Sequence, residues 1–479
     1  MLSLVVDPNL QYPERDADGF SPDERFPEYR YAYVSACQNP VYRAVRECLA
    51  QSGLDRARLN TTAWNPLGVF IRPGSRVFVL CNFVLNRQPT ETAQNFTAKC
   101  IHGSVLRALM DYVLLAVGDM GSVAFGNAAM QHCDWQAVLH ETGAQAVQDF
   151  YRSVGASVEA RDLRLLAVRR SRIGQVAVLE RREEWNGVPV NLGADSLMVA
   201  LDREPRTPYR VMNYSPARLE TLHSGGNHVY VINRRILEAD TIVSLSKLKT
   251  HEKVGVTCAL KSLVGTVGHK DSLPHYRFGP PEIGGDEYPA DKSGLLRAAL
   301  GFHYRAQRAS PDSRAGTVLR VMDRAIRYAT RRWVPITEGG WWGNDTAWRM
   351  VLDLNRAITY ATAAGELRPS SCRQHLAFID GIVGGEGQGP LSPRAVRSGL
   401  LMFSRNPVLA DFACASMMGF DPQQMPMIRE GLRLATYPLV EPDWADEEVV
   451  YNGRPSSLSE LPSLAPYHYK PSAGWQGKL

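Results

Sequence analysis

The ten residues "SRVFVLCNFV", from Ser75 to Val84, are apolar almost throughout, and no other feature narrows the fold so far. A strand wetted on one face alternates polar and apolar side chains. An unbroken apolar run belongs instead to a strand covered on both faces, as in parallel sheets with helices above and below. The next segment, "HGSVLRALMDYVLLAVG", has helical character, and "SVAFGN" supplies a weaker strand. The alternation resumes with "HVYVINRRILEADTIVSLSKLKTH" (His228 to His251). It returns in "QHLAFIDGIVGGEGQGP" (Gln374 to Pro390), read as a strand running into a glycine loop. The expected class is α/β: a mainly parallel sheet flanked by helices, with a loop-rich helical insertion.

Five segments follow from this reading. Residues 1–60 form an N-terminal extension with one helix, "NPVYRAVRECLAQSG", which Asn39 caps and Pro40 starts. Residues 61–277 hold the first α/β segment and a Lys/His-rich stretch. Residues 278–368 are the insertion, where "RAIRYATRRW" (Arg324 to Trp333) reads as a helix with a basic outer face and a longer helix starts at Asn344 or Asp345. Residues 369–435 return to α/β and include the helix "NPVLADFACASMMGFDP", ended by Gly419. Residues 436–479 are an extended tail packed on the body.

The composition, 44% hydrophobic and 22% charged over 479 residues, is that of a globular protein with a substantial core. A net charge of +5 is small for this length, which argues against a nucleic-acid partner. With no run of about eighteen apolar residues, no membrane span is expected. The N-terminus "MLSLVVDPNLQYPERD" meets an Asp and two prolines too early for a signal peptide. The eight cysteines are scattered and never form C-x-x-C, a pattern of reduced thiols in the cytoplasm that speaks against an iron–sulfur cluster. No haem or NAD is expected, and the chain reads as a monomer or weak dimer.

The stretch "SLSKLKTHEKVGVTCALKSLVGTVGHKD" (Ser244 to Asp271) crowds Lys247, Lys249, His251, Lys253, Lys261, His269 and Lys270 among apolar residues, with Glu252 and Asp271 as its only acids. On a strand, the two-residue period puts Leu245, Lys247, Lys249 and His251 on one side. Such a cluster could be a strand end emerging into water, its lysines reaching outward. It could equally be an anion site, because lysines near the carboxyl end of a parallel strand stand where α/β folds bind ligands. The anion reading is preferred.

Sharper motifs fail. "GTVGHKDS" (Gly265 to Ser272) has the wrong spacing for a phosphate-binding loop. His251-Glu252 and His140-Glu141 lack the second histidine of a zinc-protease helix, and no G-x-S-x-G elbow occurs. A looser metal site could use His251, His269, His275 and Asp271, so a divalent metal stays a candidate cofactor. The glycines around Asp380 and Glu386 do not spell a dinucleotide fingerprint, but would let backbone amides approach a ligand. In "GGWWGNDTAWRMVLDLN", Asn344, Asp345 and Arg349 surround a helix start; Asp345 could be only a cap, and Arg349 its helical ion-pair partner.

On "VSLSKLKTHEKVGVTCALKSLVGTVGHKD", "DGIVGGEGQGP" and "NPVLADFACASMMGFDP", in that order, the chain resembles the domain-of-unknown-function-362 family from about Val77 onward. "GNDTAWRMVLDLNR" and the closing "GWQGKL" resemble a subset encoded beside polysaccharide and secondary-metabolite genes. The resemblance implies an α/β fold and a cytoplasmic protein, without a settled reaction. Many relatives carry a ferredoxin-like cysteine cluster that this chain lacks. Relatives tend to have Lys-Pro-Asn where this chain has Leu80-Cys81-Asn82, and many have Asp-Ala-Pro where it has Asn127-Ala128-Ala129.

The expectation is a biosynthetic enzyme acting on a small anionic metabolite by elimination, displacement or ligation, in the manner of a lyase or transferase. His251, Lys249 and Asp380 would be catalytic. Lys247, Lys261, Lys270, Asn344, Asp345, Arg349 and Glu386 would bind substrate. The alternative is a non-catalytic scaffold that holds an anionic intermediate for a partner enzyme of the same pathway. In either case the lysines should find their counter-charges in Asp380, Glu386 and Asp411.

Overall fold

The run that opens the analysis becomes the strand Arg76–Cys81, buried on both faces from Val77 onward. The computed structural model describes the chain apart from residues 15–17, 172–173, 182–185, 204–206, 212–213, 215 and most of 290–337. The expected basic helix Arg324 to Trp333 lies largely outside the described residues.

The main sheet contains β1 (Leu2–Val6), β2 (Arg76–Cys81), β3 (Ser122–Asn127), β4 (Val158–Asp162) and β5 (Thr241–His251). It continues with β6 (Gly255–Thr257), β7 (Gln374–Gln388), β8 (Ser392–Ser404), β9 (Val449–Tyr451) and β10 (Arg454–Ser456). Across the sheet the order is β10-β9-β1-β8-β7-β5-β2-β3-β4, with β6 folded back on the end of β5. From β7 through β5, β2 and β3 to β4 all neighbours are parallel. β7 and β8 form a long antiparallel hairpin, and β1 lies antiparallel to β8. The sheet is therefore mixed and mostly parallel, as the apolar runs predict.

Helices α1 (Pro40–Gln51), α2 (Ala93–Lys99) and α3 (Gly103–Val117) cover one face, and α4 (Ala347–Tyr360) and α5 (Pro407–Met417) the other. Each strand feeds both cores by its two-residue period: Val77 and Val79 pack under α3, Phe78 and Leu80 under α4 and α5. Among the described residues, Ala93–Val117 is the one stretch long and apolar enough to cross a membrane, and it is mostly buried inside the protein. It also buries the ion pair Arg107–Asp111 at 3.2 Å, so it is a core element.

Two segments behave differently from their reading. "LSLVV" at the extreme N-terminus is a strand inside the sheet, in a segment for which only a helix was expected. The supposed glycine loop after Asp380 is not a loop: β7 runs unbroken to Gln388, with an irregularity in its pairing between Gly381 and Val383. Its glycines answer to close packing. A Cβ at Gly384 would meet the Tyr469 hydroxyl at 2.0 Å, and one at Gly389 the Thr250 carbonyl at 1.9 Å.

All eight cysteines are free thiols, six of them buried. A reductant should leave the thermal midpoint unchanged in a melting experiment, because no crosslink restrains the unfolded chain. A clear drop would reveal a bridge.

Candidate functional site

Strands β2, β3 and β5 run parallel, so their carboxyl ends open on one edge, where open α/β sheets bind ligands. There Asn82, Asn127 and His251 meet around a cleft of about 160 Å3. The Asn127 amide donates to the Phe83 carbonyl at 2.9 Å, tying the two strand ends together. Beyond β6, a short helix, Ala259–Ser262, carries Lys261 back into the cleft. Asp411 of α5 anchors that helix by accepting hydrogen bonds from the amides of Ala259 (2.6 Å) and Leu260 (3.3 Å). Asn355 of α4 donates to the Leu260 carbonyl at 3.1 Å. Both anchors belong to the packed core, so Lys261 stands on a fixed base.

Lys253, Lys270, His132 and His275 add to the basic lining, and Glu252 is its one carboxylate among the described residues. The Lys270 ammonium donates to the Ala128 carbonyl at 3.2 Å, and that of Lys253 to the Glu338 carbonyl. Lys261 makes no hydrogen bond or ion pair among the described residues and is 8% exposed. Burial, then the charges of Lys270 and Lys253, lower its pKa from 10.5 to about 7. Burial, then Arg164, lowers Lys270 to about 8.

The histidines are neutral and of opposite tautomer. Burial, then Lys261 and Lys253, holds His251 well below its usual value. The Lys253 amide donates to its Nδ1 at 3.0 Å, so the ring proton sits on Nε2. Burial and then Lys261 depress His275 likewise. Its Nδ1 donates to the Leu273 carbonyl at 2.8 Å, which leaves a lone pair on Nε2. One ring therefore offers a proton and the other can take one.

Beneath the cleft lies a second layer. Lys249 donates to Asn82 Oδ1 at 2.7 Å and to the Lys99 carbonyl at 2.5 Å, fixing an asparagine of the lining. Burial, first among its causes, lowers Lys249 to about 7. Lys247 and Asp380 form an ion pair at 3.1 Å with no exposed surface on either side chain. Asp380 also accepts from the Tyr12 hydroxyl at 2.5 Å and the His102 amide at 3.0 Å.

The expected site residues thus separate. His251, Lys261 and Lys270 line the cleft; Lys247, Lys249 and Asp380 stand below it. Of the three expected counter-charges, only Asp380 meets a lysine of the cluster. Glu386 points the other way, to Arg394 at 2.5 Å, because the β7–β8 ladder sets those two residues directly opposite each other. Asp411 caps the Lys261 helix instead, and burial raises it to about 8. Asp345 and Arg349 pair at 3.1 Å on a different groove, of about 600 Å3, as an ordinary helical pair. Asn344 caps α4 through the amides of Thr346 and Ala347 and donates to the His275 carbonyl at 3.0 Å, so it supports the cleft without lining it.

Among the described residues no three His, Cys, Asp or Glu side chains gather as a metal site. His269 pairs with Asp271 at 2.5 Å. Sequence reasoning left Lys253, Asn82 and Asn127 out of the ligand set and weighed His275 only as a metal ligand. The signal for both asparagines was present: each stands at the end of an apolar strand.

The fold and cleft together define a mixed α/β protein with a lysine- and histidine-lined cleft at the carboxyl edge of its sheet. Residues 203–416, somewhat under half of the chain, match the family model described as "Domain of unknown function (DUF362)", which supports the resemblance to that family. The match contains every lysine and the two complementary histidines of the cleft, whereas Asn82 and Asn127 precede it. No curated protein matches the chain. Among solved structures, a protein from Thermotoga maritima is similar at 12% identity and TM-score 0.28. The likeness covers 74% of this chain but about half, 53%, of that one, and it bears on neither fold nor function.

Proposed function

We propose that the cleft binds a small anionic metabolite, bearing phosphate, sulfate or carboxylate, and that the protein acts on it as a cytoplasmic biosynthetic enzyme. The observation that carries this reading is the convergence of Lys253, Lys261 and Lys270 with a single carboxylate, Glu252, on one partly enclosed cleft. Like charges gathered in a low-dielectric site repel, and a bound anion relieves the repulsion. The complementary tautomers of His251 and His275 suit proton transfer to and from such a substrate. Elimination, displacement and ligation all release or create negative charge that these cations can stabilise. Neither a nucleic acid nor a membrane is required, and a monomer or weak dimer suffices because the site is built within one chain.

Sulfate or phosphate should raise the thermal midpoint of the wild-type protein, since a ligand that binds only the folded state stabilises it by about 1.4 kcal/mol at ten times its Kd. The Lys253→Met/Lys270→Met variant should lose most of that rise. An equal rise in both proteins would place the anion elsewhere and remove the basis for this reading.

A further inference from the structure

We propose that Lys261 is a nucleophilic amine that forms an imine with the carbonyl group of a small oxo acid held in the cleft. This inference rests on the anion-site reading and names the substrate class: a carbonyl compound carrying a carboxylate.

The first support is the choice of cation. Nine of the 54 Lys and Arg residues are lysines, and five of those nine lie between Lys247 and Lys270. Arginine holds carboxylate or phosphate at least as well, through its planar fork, but its guanidinium never loses its proton in a protein. A chain that uses arginine nearly everywhere and lysine here gains from lysine the one property arginine lacks, an amine that can become neutral.

The second support is geometric, and it singles out one lysine. Lys247 is held by Asp380 and Tyr12, Lys249 by Asn82 and a carbonyl, Lys253 and Lys270 by carbonyls. Lys261 alone of these five has no partner among the described residues, although it is more than nine-tenths buried and lines the cleft. Its helix is fixed from below by Asp411 and Asn355. An amine so placed, beside Lys253 and Lys270, loses its proton near neutral pH. The cleft has the volume of roughly five waters, at about 30 Å3 each, so the enclosed part of the substrate is a few heavy atoms.

The step balances without an oxidant. The Lys261 nitrogen lone pair attacks the carbonyl carbon, and the C=O π pair moves to oxygen, which takes a proton. The nitrogen gives up one proton, the oxygen takes a second, and the C–O bond breaks to release water. His275, with its Nε2 lone pair, takes the proton the nitrogen gives up and returns it to the oxygen. The second proton comes from solvent, so the product is the protonated imine. Neutral His251 donates a hydrogen bond from Nε2–H to the oxygen without losing its proton, while Lys253 and Lys270 hold the carboxylate.

Reductive trapping tests the proposal. The full chain is incubated with glyoxylate or pyruvate and sodium borohydride, then analysed by intact mass and peptide mapping. The expected result is a gain of one oxo acid less one water plus two hydrogens, located on Lys261 at roughly tenfold or more the level of any other lysine. Lys261→Arg should abolish that adduct, and excess sulfate should suppress it in the wild type. No adduct with either acid, or adducts spread over Lys470 and Lys478, overturns the imine. A sulfate-induced thermal rise alongside no adduct leaves the anion site standing and removes only the imine. Loss of both removes the cleft reading as well.

Discussion

Lys247→Met should destabilise the protein by about 3–5 kcal/mol, measured by urea or guanidinium unfolding. The ammonium and the Asp380 carboxylate lie 3.1 Å apart with no exposed surface, so removing one charge leaves the other buried. Burial outweighs the attraction at the lysine, whose pKa falls below its ordinary value even beside a carboxylate. A buried pair of this kind adds little over two apolar groups of the same shape, yet costs heavily when halved. Lys247→Met/Asp380→Leu should therefore recover a large part of the loss, a non-additivity that a double-mutant cycle reads directly. Additive losses would mean that the two side chains are not coupled.

The second large effect is on the pH dependence of stability. Lys249 and Lys261 titrate near 7 and Lys270 near 8 when folded, against 10.5 when unfolded. Between those values the unfolded chain binds more protons, so stability rises with pH from about 7 upward; below 7 all three are protonated in both states and contribute no slope. Each unit of displacement corresponds to about 1.4 kcal/mol before relaxation and water penetration reduce it. Lys261→Met should flatten the rise and raise stability near pH 7 by roughly 1–3 kcal/mol. A curve that falls steadily from pH 7 to 9 in the wild type would show that these amines are solvated.

A gain of stability on losing a lysine would itself point to function. A native chain that tolerates an uncompensated buried cation retains it for work that a stable core does not need. The arrangement beneath the cleft has the same character. Lys249 is held by neutral oxygens alone and orients Asn82, and Asp411 spends a buried carboxylate on capping a helix of one turn.

What the sequence by itself determined was the class of fold and the neighbourhood of the site. Apolar runs such as Val77 to Cys81 require cover on both faces, and Lys247 to Lys270 concentrates amines where a strand ends. Both are local signals, carried by period and composition over a few residues. The side chains that share the cleft were decided only by tertiary structure. Asn82, Asn127, His251, Lys261 and His275 come together because β2, β3 and β5 are parallel neighbours, a matter of strand order that no local pattern encodes. Glu386 illustrates the converse. Its charge and its glycine neighbours point to a ligand, but the β7–β8 register commits it to Arg394, and its glycines serve the close approach of Thr250 and Tyr469. Register depends on every residue of both strands and on what packs above them. A short segment can announce a buried charge, but only the folded chain selects the partner that neutralises it.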